Sequence, residues 1–382
     1  MICQAGSGLI QIADLQWTVM NEPVPTTAGR PRRRLWRWLA PAAAAVLVVG
    51  VAGDVLSADA KANLPDRTPQ QVLAAASHPN STGFSGTVVE KASLGLPDLS
   101  AFGGASSQLS GLGLLSGSHT IRVWYGGPSQ QRVALLDSLG EDDLFRNGAS
   151  VWEWSSQDRT AVHRVLPSAV AEPAPLAGMS PDQVARWVLG KLTPTTDIST
   201  DRNIQVAGRT AYQLVLRPKD VSSRIGQVRI AVDGKTSVPL SFQLFERGAS
   251  RPALDLAFTR FDETAPSPDN FTWTPPAGVT VKQAGSGARP KLPFATGQVS
   301  ATTVGSGWTT VLKVTGLPTQ AALAKQNPRL AVLAGLLPAV KGSWGSGHLL
   351  DSALITVLVT DDGRLYAGAV DPSVLYRAAG QK

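Results

Sequence analysis

From residue 204 to 281, short apolar runs follow one another, several of them alternating by two, and they end at a Pro-Pro stop. The runs are 204–216, 226–232, 238–245 and 253–261, followed by a closing segment, 270–281. In the second, Val228, Ile230 and Val232 share one face while Gln227, Arg229 and Ala231 share the other, the two-residue period of a half-buried strand. Asp233-Gly234 follows at once and suits a tight hairpin turn. The pattern predicts an antiparallel meander with one face covered.

Upstream, Thr68 followed by Pro69 predicts a helix over 68–77, capped by the threonine and opened by the proline. A first strand is predicted over 83–89, then short strands at 120–125, 132–136, 143–146, 150–154 and 160–166. Asn147-Gly148 between two of them signals a hairpin. Trp152 and Trp154 fall on one face of their strand and Glu153 on the other. Ser180-Pro181 opens a predicted helix with apolar positions at Val184, Trp187 and Val188, whose natural partner is the open face of the sheet. Residues 92–118 are rich in Ser, Gly and Leu and read as a greasy loop or a flap over an apolar cavity. After a linker at 282–300 comes a smaller unit, 301–382. In it, strand 308–314, helix 320–324, an apolar run at 330–340 and a hairpin around Asp361-Asp362-Gly363 are expected.

An apolar run at 39–56 is about long enough to cross a bilayer, which takes roughly 17–25 residues. Arg30, Arg32, Arg33, Arg34 and Arg37 precede it together with Trp36 and Trp38, as cytoplasmic charge and an interfacial aromatic belt would. The expected layout is a basic cytoplasmic tail (1–38, with Met20 an alternative start), a transmembrane anchor, and exported domains beyond. Ala58-Asp59-Ala60 leaves open a cleaved signal peptide ending at Ala60 and a secreted product. The run is longer than a usual signal core, which favours the anchor.

Composition narrows the function. The net charge is +7, of which the first 38 residues supply +3 (five Arg against Asp14 and Glu22), and the rest shows no basic stripe, so nucleic acid is not an expected partner. Cys3 is the single cysteine, so there is no intramolecular disulfide framework and no cysteine-rich zinc site. His78, His119, His163 and His348 are scattered without paired metal spacing, and no Gly-x-Ser-x-Gly or Ser-x-x-Lys motif is present. Glu141-Asp142-Asp143 and Asp361-Asp362 read as solvated turns. Neither an enzyme nor a cofactor is expected.

Three segments carry a resemblance. Phe271-Thr272-Trp273-Thr274-Pro275-Pro276-Ala277-Gly278-Val279 resembles the closing segment of LolA-type lipoprotein carriers. Arg146-Asn147-Gly148-Ala149-Ser150-Val151-Trp152 resembles their tryptophan hairpin, and Phe84-Ser85-Gly86-Thr87 is similar to the first strand of RseB-type envelope-stress regulators. The likeness covers about 68–281. The smaller unit, with Trp308 and its Asp-Asp-Gly hairpin, is faintly similar to the second domain of the RseB group. The resemblance implies an α+β fold, an incomplete antiparallel β-barrel closed by helices, whose concave apolar face binds a lipid or an acylated protein. Trp124, Trp152, Trp154, Trp187 and Leu135 are then candidate liners of the cavity. Carriers latch their lid with an Arg before the proline that ends the second strand; here Gly127-Pro128 stands there. The expected function is a membrane-anchored, lipid-holding binding protein. Its alternative is a regulator that acts on an anti-sigma factor.

Overall fold

Helix α1 (Pro69–Ser77) begins where the capping signal puts it. The Gln71 backbone N–H donates to Thr68 Oγ1 at 3.2 Å while the Thr68 N–H donates to Gln71 Oε1 at 2.8 Å, a reciprocal capping box. The computed structural model describes residues 64–77, 79–96, 116–136, 140–166, 194–284, 299–326 and 335–381. The tail and apolar run at 1–56, the heart of the Ser/Gly/Leu loop and the helix expected at Ser180, with Trp187, lie outside them. Among the described residues no helix is long and apolar enough to cross a membrane.

The described residues are mostly β, with one large open sheet and few helices. The strands are β1 (Phe84–Ser93), β2 (Ser116–Tyr125), β3 (Gln130–Leu136), β4 (Glu141–Asn147), β5 (Ser150–Ser155) and β6 (Thr160–Val165). They continue as β7 (Thr196–Val206), β8 (Arg209–Pro218), β9 (Ile225–Asp233), β10 (Pro239–Glu246), β11 (Leu254–Asp262) and β12 (Thr280–Ala284). Their order across the sheet is 12-6-5-4-3-2-1-11-10-9-8-7. Neighbours are antiparallel except β12, which adds in parallel to β6. The predicted meander is therefore present as β8–β11.

Turn chemistry corrects two boundaries. The run at 204–216 is two strands, because Ala207 (φ 51°) and Gly208 (φ 74°) turn the chain between β7 and β8. Alternation runs through this turn, so periodicity alone does not show it. The β9–β10 connection is not a two-residue Asp-Gly turn either. Its positive φ falls on Ser237 (60°), and the buried Asp233 carboxylate organises it by accepting from Thr236 N–H at 2.8 Å and Thr236 Oγ1 at 2.7 Å. The Asn147-Gly148 hairpin forms as expected, with Gly148 at φ 62°.

Two clusters fill the sheet's curl. Under α1, Val72 packs with Tyr212, Leu214, Leu216, Val228, Val232 and Leu94. The second joins Ile204 and Val206 of β7 through Ala211, Ala231 and Leu240 to Phe258 of β11, with Phe84 and Val88 of β1 packed against it. Strand β7 approaches β11 although β8, β9 and β10 separate them in the ladder, so the sheet bends. Helix α1 covers the Tyr212, Leu214 and Val232 face, which the register through β9, β10 and β11 makes the face of Val88.

The C-terminal unit is a second sheet with strand order 13-14-18-17-16-15. It comprises β13 (Ser300–Val304), β14 (Val311–Thr315), β15 (Ala339–Gly342), β16 (Gly345–Asp351), β17 (Thr356–Thr360) and β18 (Leu365–Gly368). Helices α2 (Gln320–Gln326) and α3 (Pro372–Gly380) accompany it. The strand expected to start at Trp308 begins at Val311, after a turn of 3-10 helix at Gly307–Thr309. The core is Val311, Trp344, Leu349, Leu358, Tyr366 and Leu375. This unit is fastened to the large sheet. Arg224 pairs with Asp351 and donates to Thr356 Oγ1 at 3.1 Å, and Trp308 Nε1 donates to Thr196 Oγ1 at 2.7 Å. Ala353 N–H donates to the Leu94 carbonyl at 2.9 Å, with Leu354 buried in the cluster under α1.

Candidate functional site

Opposed residues in adjacent strands share a face, so the ladder from β1 to β12 assigns every side chain in that half of the sheet. One row reads Ser85, Trp124, Arg132, Phe145, Trp152, His163 and Gln283; the next reads Thr87, Arg122, Ala134, Asp143, Trp154, Ala161 and Val281. The other face carries Gly86, Val123, Val133, Leu144, Glu153, Val162 and Lys282, then Val88, Ile121, Leu135, Asp142, Ser155, Thr160 and Thr280. The second face continues, through Glu90, Leu256, Phe242, Ile230 and Leu214, into the face on which α1 packs, and we take this helix-bearing side as the concave one.

Of the candidate liners, this brings Trp124, Trp152 and Trp154 together on the convex face and puts Leu135, 2 % exposed, on the concave one. Trp187 lies outside the described residues. Sequence alternation pairs the tryptophans but says nothing about curvature, which comes from packing several strands away.

The convex face is a small aromatic core. The closing segment runs over it, with Phe271 buried against Gly126, where a Cβ would sit 2.9 Å from the Phe271 ring. Trp273 stacks on Phe145 at 5.8 Å and meets Trp152 at 5.2 Å and Trp154 at 5.5 Å between ring centroids. The guanidinium of Arg132 lies 4.6 Å from the Trp124 ring and 4.6 Å from the Phe145 ring, a double cation–π contact. The His163 ring stacks on Trp152 at 4.2 Å, and its nitrogens contact Ser150 Oγ at 2.9 Å and Gln283 Oε1 at 3.1 Å. Arg159 Nη2 donates to the Ala277 carbonyl at 3.2 Å, and Thr280 N–H to the Arg159 carbonyl at 3.0 Å. The segment thus straps the sheet and ends as edge strand β12.

Beneath the strap lies Asp143, 3 % exposed, taking a 2.8 Å bond from Arg132 Nε. The acidic run read as a solvated turn is instead the start of β4, which sends Asp142 and Asp143 to opposite faces. Burial pushes the Asp143 carboxyl up to about 6, outweighing the pull of Arg132, with Glu141 adding to the rise. The folded protein therefore binds this proton more tightly than the unfolded chain does. The associated stability is complete below about pH 4 and is lost as pH rises through about 6; a rise of about two pH units corresponds to ~3 kcal/mol. In urea titrations across that window, wild-type stability is expected to fall relative to Asp143→Asn by an amount of that order. Parallel pH profiles for the two proteins contradict the assignment.

The concave face of the same strands is different. Val88, Ile121, Val123, Val133 and Leu144 are half-buried and surround buried Leu135, forming an aliphatic block across β1–β4. Two pairs border it. Glu90 meets His119 (Oε2–Nδ1, 3.1 Å), and Arg164 Nη2 meets Glu153 Oε1 at 3.1 Å. Burial raises the Glu153 carboxyl and Arg164 lowers it, with the upward effect larger. Sequence reading missed Ile121, Val123, Val133 and Leu144. The signal was available, since Ile121/Val123 and Val133/Leu135 are alternate residues of their strands. The block offers non-directional apolar contact and no nucleophile. Among the described residues, no group of three or more His, Cys, Asp or Glu could hold a metal ion.

Neither a family model nor a curated protein matches the sequence. Solved structures do. The chain is similar to MucB in its complex with MucA from Pseudomonas aeruginosa, at 17 % identity and TM-score 0.42, covering 81 % of this chain and 96 % of that one. It is similar to LprF from Mycobacterium bovis at 10 % identity and TM-score 0.25, over 52 % of this chain and 96 % of that one. A LolA-superfamily protein from Nitrosomonas europaea gives 14 % identity and TM-score 0.21, over 55 % and 99 %. MucB and a LolA-superfamily protein are thus among the solved structures to which the chain is similar.

Proposed function

We propose that this protein is a non-enzymatic binding protein that holds an alkyl or acyl chain, from a lipid or an acylated protein, against the concave aliphatic block. The observation that carries this reading is the block itself. Five half-buried aliphatic side chains stand together beside Leu135 on the inward side of the curl, although the convex side of the same strands is packed under Trp273. Burying an alkyl chain there contributes about 0.8 kcal/mol per methylene, without any directional motif. In this reading Leu135 remains a candidate liner, now with Ile121, Val123, Val133 and Leu144, while Trp152 and Trp154 hold the strap and Trp124 packs on Arg132. The 39–56 run would tether the protein to the membrane with its two sheets outside.

A regulator is the second reading, in which the C-terminal unit contacts a membrane partner such as an anti-sigma factor. One observation favours it: Ala353 and Leu354 of that unit pack on Leu94, next to the end of β1, the strand that supplies Val88 to the block.

Mass spectrometry of lipids extracted from the full chain, purified from native membranes, tests the binding reading. A stoichiometric lipid or acylated peptide is expected. A ligand-free protein that still captures a membrane partner overturns ligand holding and leaves the regulator.

A further inference from the structure

One position beyond Val88 and Ile121 along their strands, the aliphatic block ends at Glu90 and His119, which oppose each other on β1 and β2. Glu90 is 5 % exposed, and its Oε2 lies 3.1 Å from His119 Nδ1. On its other side, β11 presents Leu256 opposite Glu90, while the charged Lys91 and Asp255 oppose each other one position along and on the other face. Taking a carboxylate out of water is costly unless a cation stays with it. The two border pairs differ in how that cost is met. Glu153 has a guanidinium, which is always charged, and both partners are about a third exposed, so that pair is already neutralised. Glu90 is far more buried and has only an imidazole, which carries a charge only when both its nitrogens are protonated. Burial pushes the Glu90 carboxyl up and His119 pulls it back down, with burial the larger effect.

We propose that Glu90, beside His119, is the head-group end of the concave face and takes the primary ammonium head of a single-chain amphiphile whose tail lies along Val88, Ile121, Val133 and Leu135. This rests on the binding reading above and deepens it. The geometry suits such a molecule. Apolar side chains span β1 to β4, three inter-strand steps or about 14 Å, and the one weakly neutralised buried carboxylate among the two border pairs lies at their margin. An ammonium supplies both the missing positive charge and N–H donors, as a charge-assisted hydrogen bond requires. An anionic head would meet Glu90 with like charge.

The test uses the full chain in polymer-bounded native membrane discs, photolabelled with a dodecylamine that carries a diazirine in its tail. Peptides from β1, β2 and β3 should be labelled. Unlabelled dodecylamine should compete at least about tenfold better than dodecyl sulfate, and Glu90→Gln should reduce that preference to about twofold or less, a fivefold change or about 1 kcal/mol. Glu90→Asp, which keeps the charge, should retain part of the preference, and thermal melts of both variants guard against misfolding. Equal competition by the two heads in the wild type, or a preference that survives Glu90→Gln, overturns the head-group assignment while leaving tail binding intact. Absence of labelling on the concave strands by either amphiphile overturns the binding reading itself.

Discussion

Replacing Trp273 with alanine is expected to destabilise the large sheet by about 3 kcal/mol and to free its closing strap. The indole contacts Phe145, Trp152 and Trp154 at once, and each well-placed aromatic pair contributes about 0.5–1.5 kcal/mol beyond simple area. Its loss uncovers Phe145, which is otherwise buried, and weakens the cover over Asp143 and Ala161. The effect should be local first. Strand β12 is held by its parallel pairing with β6, by the Arg159 contacts and by His163–Gln283, so hydrogen exchange should speed up in β12 and in β6, whose edge it covers. Trp273→Phe should recover most of the loss. An unchanged urea midpoint together with unchanged exchange in β12 would show that the strap is held without the indole.

Val133→Asp is expected to weaken binding of any alkyl ligand by about 100-fold, because a carboxylate in the middle of the aliphatic block must be desolvated against the ligand's tail. Val133 is flanked by Val123 and Leu144 on the neighbouring strands and is half-buried, so the folded protein can leave the new charge in water. Val133→Thr keeps the shape and the strand preference and adds one hydroxyl; a loss of only about threefold to tenfold is expected from it. The control is Trp124→Asp. Its position on the convex face predicts a stability loss, through Arg132, with ligand affinity in the folded fraction unchanged. If the convex substitution abolishes binding and the concave one does not, the assignment of the two faces is wrong. The readout is retention of the co-purified ligand, measured per folded molecule.

Much of the fold was legible because it depends on local chemistry. The capping pair Thr68 and Gln71, the Asn147-Gly148 turn and the alternation in β9 and β10 are properties of a few consecutive residues. They appear in the structure close to where the sequence puts them. Elements lacking a local signal were lost. Strand β16, Gly345–Asp351, begins Gly-Ser-Gly and has poor strand propensity, yet it is held by β15 on one side and β17 on the other. Helix α3 did carry a start signal, Asp371-Pro372, followed by Leu375, Ala378 and Ala379 on its buried side. The acidic run at 141–143 looked solvated because charge is usually outside. Arg132, nine residues earlier than Glu141, makes a buried position tolerable for Asp143, and only strand pairing brings the two together.

The sequence by itself determined that the chain alternates into a many-stranded antiparallel sheet closed by a Phe-Thr-Trp-Thr-Pro-Pro segment, since strand period and turn chemistry are written in neighbouring residues. It also determined which side chains share a face within each strand. Which of the two faces is concave was decided by tertiary structure alone. That side is set by α1 packing on Tyr212, Leu214 and Val232 and by the register that carries the same face across β9, β10 and β11 to Val88, more than a hundred positions from Tyr212. That long-range packing moved the proposed binding surface from the conspicuous tryptophans to plain valines and leucines.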